Sequence, residues 1–372
     1  MLRTIKDIKD IRGKKILLRL DLNVPIENGN ILDDFRIKRS LRTLDYLKDN
    51  GAKVVIISHI GKDGTLSLGA IAKSLNIQLL DLKIDDVLKQ KINDLKDGEV
   101  VMLENLRKDP REKNNDESFA RELSSLADIF VNEAFSSSHR KHASIVSVPK
   151  FLPSYFGFLF EEEVVNLSRA FDPEHPFTFV LGGAKFGTKL PLVKKFLNIA
   201  DKIFIGGALA NNLIKASGGE VGISLVDKDE LDLKEILNSP KVFFPKDVVA
   251  ITGKCNCIKS VEDVSPEDKI VDAGLKFMNS LDDAIFSSKF ILWNGPLGIT
   301  EENFDQASKS LAKSIAISPN AFSIIGGGDT VVIVNELKIL ERYDFVSTGG
   351  GAMLDFLAEG TLPGIEAIEA KK

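Results

Sequence analysis

Nine short apolar runs, each rich in valine, isoleucine or phenylalanine, recur along the whole chain. They lie at 15–25, 52–61, 99–107, 127–135, 177–185, 202–210, 289–298, 321–330 and 344–352. Such runs are typical of strands that are buried on both faces of a sheet. Apolar residues at helical spacing come between them, as at 37–47, 190–200 and 304–315. Because strands that alternate with helices form βαβ units, we expect an α/β fold with mostly parallel sheets.

The two halves of the chain differ in composition. All four histidines lie before residue 176, whereas twenty of the 28 glycines lie after it. Between the halves, 160–176 reads FEEEVVNLSRAFDPEHP, a helical pattern closed by a proline-bounded turn. The chain of 372 residues is long enough for two domains. We therefore predict two Rossmann-like parallel-sheet domains joined by a helix, with a cleft between them.

Charge and cysteine usage narrow the class of protein. The net charge of −5 gives no reason to expect binding to nucleic acid or membranes. The N-terminal segment is too charged for a secretory signal, and no apolar run approaches the length of a membrane span. Cys255 and Cys257 are the only cysteines in the sequence. We expect them to be two free thiols in a reduced cytoplasm, and their role stays open.

Four glycine clusters follow four of the apolar runs, at 182–183, 206–207, 326–328 and 349–351. Each precedes a predicted helix, so its backbone N–H groups and the helix dipole would suit a phosphate. A single glycine pair is as well explained by a tight turn, but four at the same topological position favour a ligand surface. Neither GxxxxGK[ST] nor GxGxxG occurs, which argues against a P-loop protein and a Rossmann dinucleotide site.

Charged side chains accompany the first and third glycine clusters. Lys185 and Lys189 are four residues apart at a predicted helix start and can point the same way, although a solvated lysine pair is the alternative. Asp329 and Thr330 close the sequence GGGDT. They could cap a helix, or Asp329 could bind Mg²⁺, which prefers few carboxylates together with phosphate oxygens.

In the first half, basic or imidazole side chains follow strand after strand. The set comprises Arg36, His59, Lys62, Arg107, His139, Arg140 and His142, with Asp21 and Asn23 at the end of the first strand. Any one of them alone could be a solvated surface charge. Their shared position predicts a basic pocket for a small polyanion such as a carboxylated sugar phosphate. An anion domain beside a nucleotide-phosphate domain suits phosphoryl transfer.

A series of motifs carries a resemblance to a known family. In order they are RLDLNVP, DDFRIKRSL, GAKVVIISHIGK, LENLR, ADIFVNEAFSSSHRKHAS, LGGAKFGTKL, WNGPLGITE, IIGGGDT, STGGGAML and LPGIEAI. The chain resembles phosphoglycerate kinase along nearly its whole length. The resemblance implies reversible, Mg²⁺-dependent transfer between 1,3-bisphosphoglycerate with ADP and 3-phosphoglycerate with ATP in glycolysis. It also implies a cytoplasmic monomer, hinge closure, and in-line transfer without a covalent intermediate.

The resemblance also implies domain boundaries and site residues. Residues 1–160 with 360–372 would bind 3-phosphoglycerate, 161–175 would form a connecting helix and hinge, and 176–359 would bind the nucleotide. The implied 3-phosphoglycerate residues are Asp21, Leu22, Asn23, Arg36, His59, Ile60, Gly61, Lys62, Arg107 and Arg140. The implied nucleotide residues are Gly182, Gly183, Lys185, Lys189, Gly206, Gly207, Asn294, Glu301, Gly327, Gly328, Asp329 and Thr330. The implied catalytic residues are Arg36, Lys185, Lys189, Gly328 and Gly350, with Asp329 on Mg²⁺.

Several positions depart from the family pattern. Leu22 stands in place of the usual phenylalanine, Lys62 in place of arginine, Lys108 in place of an aromatic residue and Glu133 in place of aspartate. Serines occupy 136–138, where the family has a glycine-containing turn. Two other functions stay open at this stage, a non-catalytic nucleotide-binding regulator on the same fold and a kinase for another small carboxylate.

Overall fold

The computed structural model describes residues 2–228, 231–253 and 255–370. The chain divides into two compact units, unit 1 (Met1–Val165 with Thr361–Lys372) and unit 2 (Asn166–Gly360). The division lies within 161–175, the stretch that the sequence analysis assigned to a connector. Each unit is built on its own six-stranded parallel sheet, which confirms the predicted α/β class. Within the described ranges, no helix is long and apolar enough to cross a membrane.

In the first part of the chain, the described residues of unit 1 form eight strands and six α-helices. The strands are β1 (Lys15–Arg19), β2 (Ile26–Glu27), β3 (Asn30–Ile31), β4 (Lys53–Ile57), β5 (Gln78–Leu80), β6 (Val100–Leu103), β7 (Ile129–Asn132) and β8 (Ser154–Phe156). The helices are α1 (Phe35–Asp49), α2 (Gly69–Ser74), α3 (Asp86–Asn93), α4 (Pro110–Lys113), α5 (Glu117–Ser124) and α6 (Phe158–Ser168). Helix α6 runs across the division between the units.

The sheet of unit 1 has the strand order β5-β6-β4-β1-β7-β8, and its neighbouring strands are all parallel. Leu17 of β1 lies opposite Val55 of β4 and Phe130 of β7. All three are fully buried, as expected for strands covered on both faces. Because parallel strands end at the same edge, the loops after β1, β4, β6 and β7 come together there.

The described residues of unit 2 form nine strands and seven α-helices. The strands are β9 (Phe177–Leu181), β10 (Lys202–Ile205), β11 (Val242–Phe243), β12 (Asp247–Thr252), β13 (Cys255–Ser260), β14 (Lys269–Ala273), β15 (Phe290–Asn294), β16 (Phe322–Gly326) and β17 (Phe345–Val346). The helices are α7 (Phe186–Leu197), α8 (Gly207–Ala216), α9 (Lys234–Leu237), α10 (Leu275–Ser287), α11 (Gln306–Ala316), α12 (Gly328–Glu336) and α13 (Gly350–Glu359). The last helix of the chain, α14 (Pro363–Glu369), belongs to unit 1.

The parallel sheet of unit 2 has the order β11-β10-β9-β15-β16-β17, and β13-β12-β14 form a separate antiparallel sheet. Trp293 of β15 is fully buried in the core between the sheet and helices α10 and α11. A glycine cluster and then a helix follow each of β9, β10, β16 and β17, which confirms the predicted strand–glycine–helix pattern. The antiparallel sheet was not predicted, because β13 is largely exposed and carries no apolar run.

Helix α14 packs against a turn of unit 1, Ala143–Ser147. The Gly364 amide donates a hydrogen bond of 2.9 Å to the Ser138 carbonyl oxygen. A Cβ at Gly364 would lie 2.7 Å from the Ser138 Cβ, so the glycine permits this close approach. Ile365 and Ile368 of α14 are buried there. The serine turn at 136–138 is therefore in direct contact with the start of α14.

Candidate active site

The basic strand ends of unit 1 form one group at the carboxyl edge of its sheet. We call the side chains of Asp21, Asn23, Arg36, His59, Arg107 and Arg140 the basic cluster. Arg36 Nη1 lies 3.3 Å from Asp21 Oδ2 and donates to the Asn23 carbonyl oxygen at 3.0 Å. His59 Nδ1 lies 4.0 Å from Asp21 Oδ1. The structure thus brings together residues that follow β1, begin α1 and follow β4.

The carboxylate of Asp21 is the negative centre of this group. Its burial favours the neutral acid, but the charge of Arg36 and a hydrogen bond from the Ser136 hydroxyl hold the pKa of Asp21 at about 2. Asp21 is therefore ionised at neutral pH and orients the guanidinium of Arg36. Ser136 belongs to the serine turn after β7, so this turn takes part in the cluster through a hydrogen bond to Asp21.

Arg107 is held in place by a residue that the sequence analysis did not select. Asn105 Nδ2 donates to the carbonyl oxygens of Ile60 and Leu66, each at 2.8 Å, and its Oδ1 accepts from the Arg107 amide at 3.1 Å. Arg107 Nη1 donates to the Gly61 carbonyl oxygen. Arg107 Nε is buried and has no hydrogen-bond partner among the described residues.

Beneath the cluster lies a buried network centred on Arg19 of β1. Arg19 is fully buried, and its Nε donates to Ser144 Oγ at 3.0 Å. The Ser144 hydroxyl in turn donates to Glu112 Oε1 at 2.6 Å, and Glu112 is also fully buried. Arg19, Ser144 and Glu112 were missed from the sequence, because a lone arginine inside an apolar run carries no periodic signal.

Arg19 also determines the form of His59. Arg19 Nη2 lies 3.1 Å from His59 Nδ1, and a guanidinium can only donate. Nδ1 is therefore the acceptor and the ring proton is on Nε2. Burial, followed by the charge of Arg19, lowers the pKa of His59 well below its ordinary value. The imidazole is neutral at physiological pH, with one N–H donor left for a ligand.

The remaining 3-phosphoglycerate residues of the sequence analysis differ in exposure. Leu22 and Ile60 are buried, so their side chains pack in the core. Gly61 donates its amide to Asn23 Oδ1 at 2.9 Å. Lys62 and Arg140 are exposed. Lys62 therefore reaches the cluster region only as a solvated point charge.

In unit 2, the first two glycine clusters pack against the loop that follows β15. The Gly183 amide donates to the Pro296 carbonyl oxygen at 2.9 Å, and the Gly207 amide donates to the Leu297 carbonyl oxygen at 3.0 Å. A Cβ at Gly182 would lie 2.0 Å from the Pro296 carbonyl oxygen. Gly183 has a φ of +101°, a value that other residues rarely adopt. Backbone contacts therefore require glycine at these positions, in addition to any requirement that a ligand imposes.

The two predicted lysines occupy different environments. Lys189 Nζ donates to the Gly182 carbonyl oxygen at 2.6 Å. Burial lowers the pKa of Lys189 to about 8, against the opposing charge of Asp329. Lys185 precedes α7 and is exposed. Lys189 is thus partly desolvated beside the first glycine cluster, whereas Lys185 is free to move toward a phosphate.

The sequence GGGDT forms the start of α12. Gly328 and Asp329 are exposed in the first turn of the helix. Thr330 is buried, and its Oγ1 accepts from the Gly295 amide at 2.9 Å. Asn294 at the end of β15 is also buried. The hydroxyl of Thr330 therefore joins the loop after β15 to α12. For phosphate binding, Thr330 can offer its backbone and the remaining hydrogen-bonding capacity of its hydroxyl.

The starts of α12 and α13 are in backbone contact. A Cβ at Gly350 would lie 2.9 Å from Gly327 Cα and 3.3 Å from Gly327 N. Any side chain at Gly350 would thus separate the two helix starts. Because the first N–H groups of a helix lack partners within the helix, two adjacent starts concentrate donors and positive dipole ends in one place.

A cavity of about 370 Å³ lies in unit 2 beside these glycines. Its walls are apolar and include Ala208, Ile214, Leu225, Val248 and Leu297. Four of the predicted nucleotide residues also line it: Gly183, Gly207, Glu301 and Asp329. The other predicted residues of this half-site, Gly182, Lys185, Lys189, Gly206, Asn294, Gly327, Gly328, Thr330 and Gly350, are not among its lining residues. An apolar slot that opens toward helix N-termini suits a base with attached phosphates.

One α/β unit carries a basic cluster for a small anion, and the other carries a base-sized cavity beside helix N-termini. Together these features define a small-molecule kinase. The family model described as "Phosphoglycerate kinase" matches residues 5–360. The chain belongs to the phosphoglycerate kinase family, and it is an enzyme, a phosphotransferase with a carboxyl group as acceptor.

Relatives and solved structures agree with this assignment. The chain is 40% identical over 387 residues to the phosphoglycerate kinase of Coprothermobacter proteolyticus, with 98% of each chain covered. It is 39% identical over 390 residues to that of Thermus thermophilus, covering 99% of this chain and 100% of the relative. The phosphoglycerate kinase structure from Pyrococcus horikoshii superposes with a TM-score of 0.86 at 31% identity, covering 99% of this chain and 98% of that one.

Proposed function

We propose that the two half-sites divide the substrates of the phosphoglycerate kinase reaction between them. The basic cluster binds 3-phosphoglycerate or 1,3-bisphosphoglycerate, and the cavity with its glycine clusters binds ATP or ADP. The observation that carries the proposal is the pairing of ionised Asp21 with Arg36, next to neutral His59 and the guanidinium of Arg107. This arrangement supplies oriented donors for a carboxylate and a phosphate at one place.

In the first half-site, each residue has a distinct role. Arg36 neutralises the acyl oxygen and the moving phosphoryl group, and Asp21 keeps its guanidinium in position. The guanidinium of Arg107 and the Nε2–H of His59 donate to the anionic ligand. Arg140 and Lys62 are exposed and close on the ligand from the rim. Leu22, Asn23, Ile60 and Gly61 form the backbone floor.

In the second half-site, the apolar cavity takes the base and Glu301 on its rim contacts the ribose. The phosphates lie along the glycine clusters, toward the adjacent starts of α12 and α13. Lys185 and Lys189 hold the nucleotide phosphates, and Lys189 follows the transferred group. Gly328 and Gly350 offer backbone N–H groups to the charge that develops during transfer.

Asp329 is the residue that would hold Mg²⁺. Its carboxylate is exposed in the first turn of α12, beside the backbone N–H groups proposed for phosphate. No set of three or more potential ligand side chains occurs within the described ranges, which fits a cation held by one carboxylate, phosphate oxygens and water. When bound, Mg²⁺ would neutralise charge on the nucleotide phosphates.

Catalysis in this proposal is positioning and electrostatic stabilisation. The acyl phosphate and the terminal oxygen of ADP are aligned in line, the phosphoryl group moves between them, and no covalent enzyme intermediate forms. Hinge closure within 161–175 excludes water before transfer. A cytoplasmic monomer acting in glycolysis, as the family resemblance implies, completes the proposal.

The test is Mg²⁺- and ATP-dependent phosphorylation of 3-phosphoglycerate in a coupled assay, with Arg36→Ala beside the wild type. Loss of one oriented donor to the developing charge is expected to lower kcat by about 10²–10³-fold while ATP binding is kept. Lys38→Ala is the matched control, because Lys38 is an exposed cation on the same helix, paired only with Asp34 among the described residues. Equal kcat values for wild type and Arg36→Ala would contradict the proposal, and a comparison of several small carboxylates tests the choice of acceptor.

A further inference from the structure

Ser136, the first residue of the serine turn, reaches the basic cluster through its hydroxyl. The hydroxyl donates a hydrogen bond to Asp21 Oδ2, the carboxylate oxygen that also lies 3.3 Å from Arg36 Nη1. The other oxygen, Asp21 Oδ1, accepts from the Asn23 amide at 3.1 Å. Each oxygen of the carboxylate thus has a donor of its own, and together the two donors fix the rotation of the Asp21 side chain.

The orientation of Arg36 depends on this carboxylate. In the described part of the chain its guanidinium has two partners, Asp21 Oδ2 and the Asn23 carbonyl oxygen at 3.0 Å. Both contacts are made by Nη1, so the orientation of the whole guanidinium rests on one nitrogen. A carboxylate that could rotate would therefore allow the guanidinium to turn with it.

The turn that carries Ser136 is itself anchored by buried hydrogen bonds. Asn132, at the end of β7, accepts from the Ala134 amide at 3.0 Å and donates to Ser138 Oγ at 3.1 Å. The Ser138 hydroxyl donates to the Ala134 carbonyl oxygen at 2.9 Å, and its own carbonyl oxygen accepts from the Gly364 amide of α14. Asn132 and Ser138 are both fully buried. The turn is therefore held from β7 and from α14, and it presents the hydroxyl of Ser136 in a fixed position.

We infer that Ser136 is a positioning residue for phosphoryl transfer, whose hydroxyl holds the Asp21 carboxylate so that Arg36 faces the transferred group. This inference rests on the proposed function, in which Arg36 acts on the charge that develops during transfer. A hydrogen bond to a charged group is stronger than one between neutral groups. Displacement of a catalytic group by about 1 Å can lower the rate by about 100-fold. Loss of the hydroxyl should therefore lower kcat, although Ser136 itself does not touch the reacting atoms.

The first variant is Ser136→Ala, assayed by Mg²⁺- and ATP-dependent phosphorylation of 3-phosphoglycerate. Its kcat is expected to fall by about three- to tenfold, while the KM for ATP stays unchanged. Ser136→Thr keeps a hydroxyl and should restore most of the wild-type kcat. Ser147→Ala is the matched control, because Ser147 is a buried serine whose hydroxyl donates at 2.9 Å to Asn115 Oδ1 instead of to the cluster. A kcat of Ser136→Ala equal to that of the wild type would overturn the inference.

A double variant separates positioning from a merely structural role. Because Ser136 acts through Asp21 on Arg36, Ser136→Ala should have little further effect on kcat in an Arg36→Ala background. A structural contribution to the turn would instead lower kcat by the same factor in both backgrounds. An equal factor in the two backgrounds would therefore overturn the inference.

The same variants distinguish this inference from the proposed function. If Arg36→Ala keeps the wild-type kcat, the role of Arg36 in transfer fails, and the role of Ser136 fails with it. If Arg36→Ala lowers kcat but Ser136→Ala does not, the proposed function stands and the role of Ser136 alone is overturned.

Discussion

Replacement of Arg19 by methionine tests the buried network beneath the basic cluster. Arg19 and Glu112 are both fully buried and are joined through the hydroxyl of Ser144. Methionine fills much of the same volume but removes one of the two guanidinium charges, those of Arg19 and Arg107, that act on the buried carboxylate of Glu112. Removal of one partner from a buried ion pair typically destabilises a protein by about 3–5 kcal/mol, because an uncompensated charge stays inside. We expect a loss of this size in the free energy of unfolding of Arg19→Met.

A second substitution separates the stranded charge from the lost contacts. Glu112→Gln in the Arg19→Met background removes the charge while an amide oxygen can still accept from the Ser144 hydroxyl. The double variant should therefore recover part of the loss, with a coupling energy of about 1–3 kcal/mol between the two sites. The hydrogen bonds of Arg19 to Ser144 and His59 stay broken in both variants, so the recovery is partial.

The assay is urea unfolding followed by far-UV circular dichroism, with the change in midpoint converted to free energy through the common slope. Nitrogen-15 NMR of the His59 ring supplies a readout that packing alone would not move. With Arg19 present, the ring proton is expected on Nε2, and in Arg19→Met both tautomers should be populated. If the free-energy changes of the two single substitutions add fully in the double variant, or if the His59 tautomer is unchanged, the network does not act as described.

Three further outcomes follow from contacts in the site. Gly350→Ala should lower the stability of unit 2 by about 1–3 kcal/mol through overpacking, since its Cβ would lie 2.9 Å from Gly327 Cα. Gly328→Ala is the control, because no heavy atom lies within 4 Å of its Cβ. Equal unfolding midpoints for the two variants would contradict the contact. Burial lowers the pKa of Lys189 to about 8, so the KM for ATP should rise above about pH 8 as this lysine loses its proton. Lys189→Arg should abolish that rise because arginine stays charged. Lys62→Arg should lower the KM for 3-phosphoglycerate by restoring a forked contact, and an unchanged KM would exclude that role.

The parts of the fold that the sequence predicts well are those with a strong local signal. The runs around Leu17, Val55 and Phe130 are continuously apolar at their centres, 16–18, 54–57 and 129–131, because these strands are covered on both faces. Their ends are less well predicted, since the run at 15–25 continues into the loop that carries Asp21. The antiparallel sheet of β12, β13 and β14 escapes the same reasoning because β13 is exposed and polar.

The candidate site divides in a similar way. Asp21, Arg36 and His59 could be placed near one another from sequence, because the carboxyl ends of parallel strands share an edge. Asn105 lies inside the motif LENLR, yet its hydrogen bonds to two loops are visible only in the folded chain.

The alternation of apolar strands with helices, the glycine-marked helix starts and the chemical groups at the strand ends were determined by the sequence alone, because each depends on residues close together in the chain. The ionisation of Asp21, the tautomer of His59 and the contact of Gly350 with Gly327 were decided only by the tertiary structure. A pKa and a steric contact depend on charges, burial and atoms brought together from distant segments. No periodicity in the chain encodes those distances.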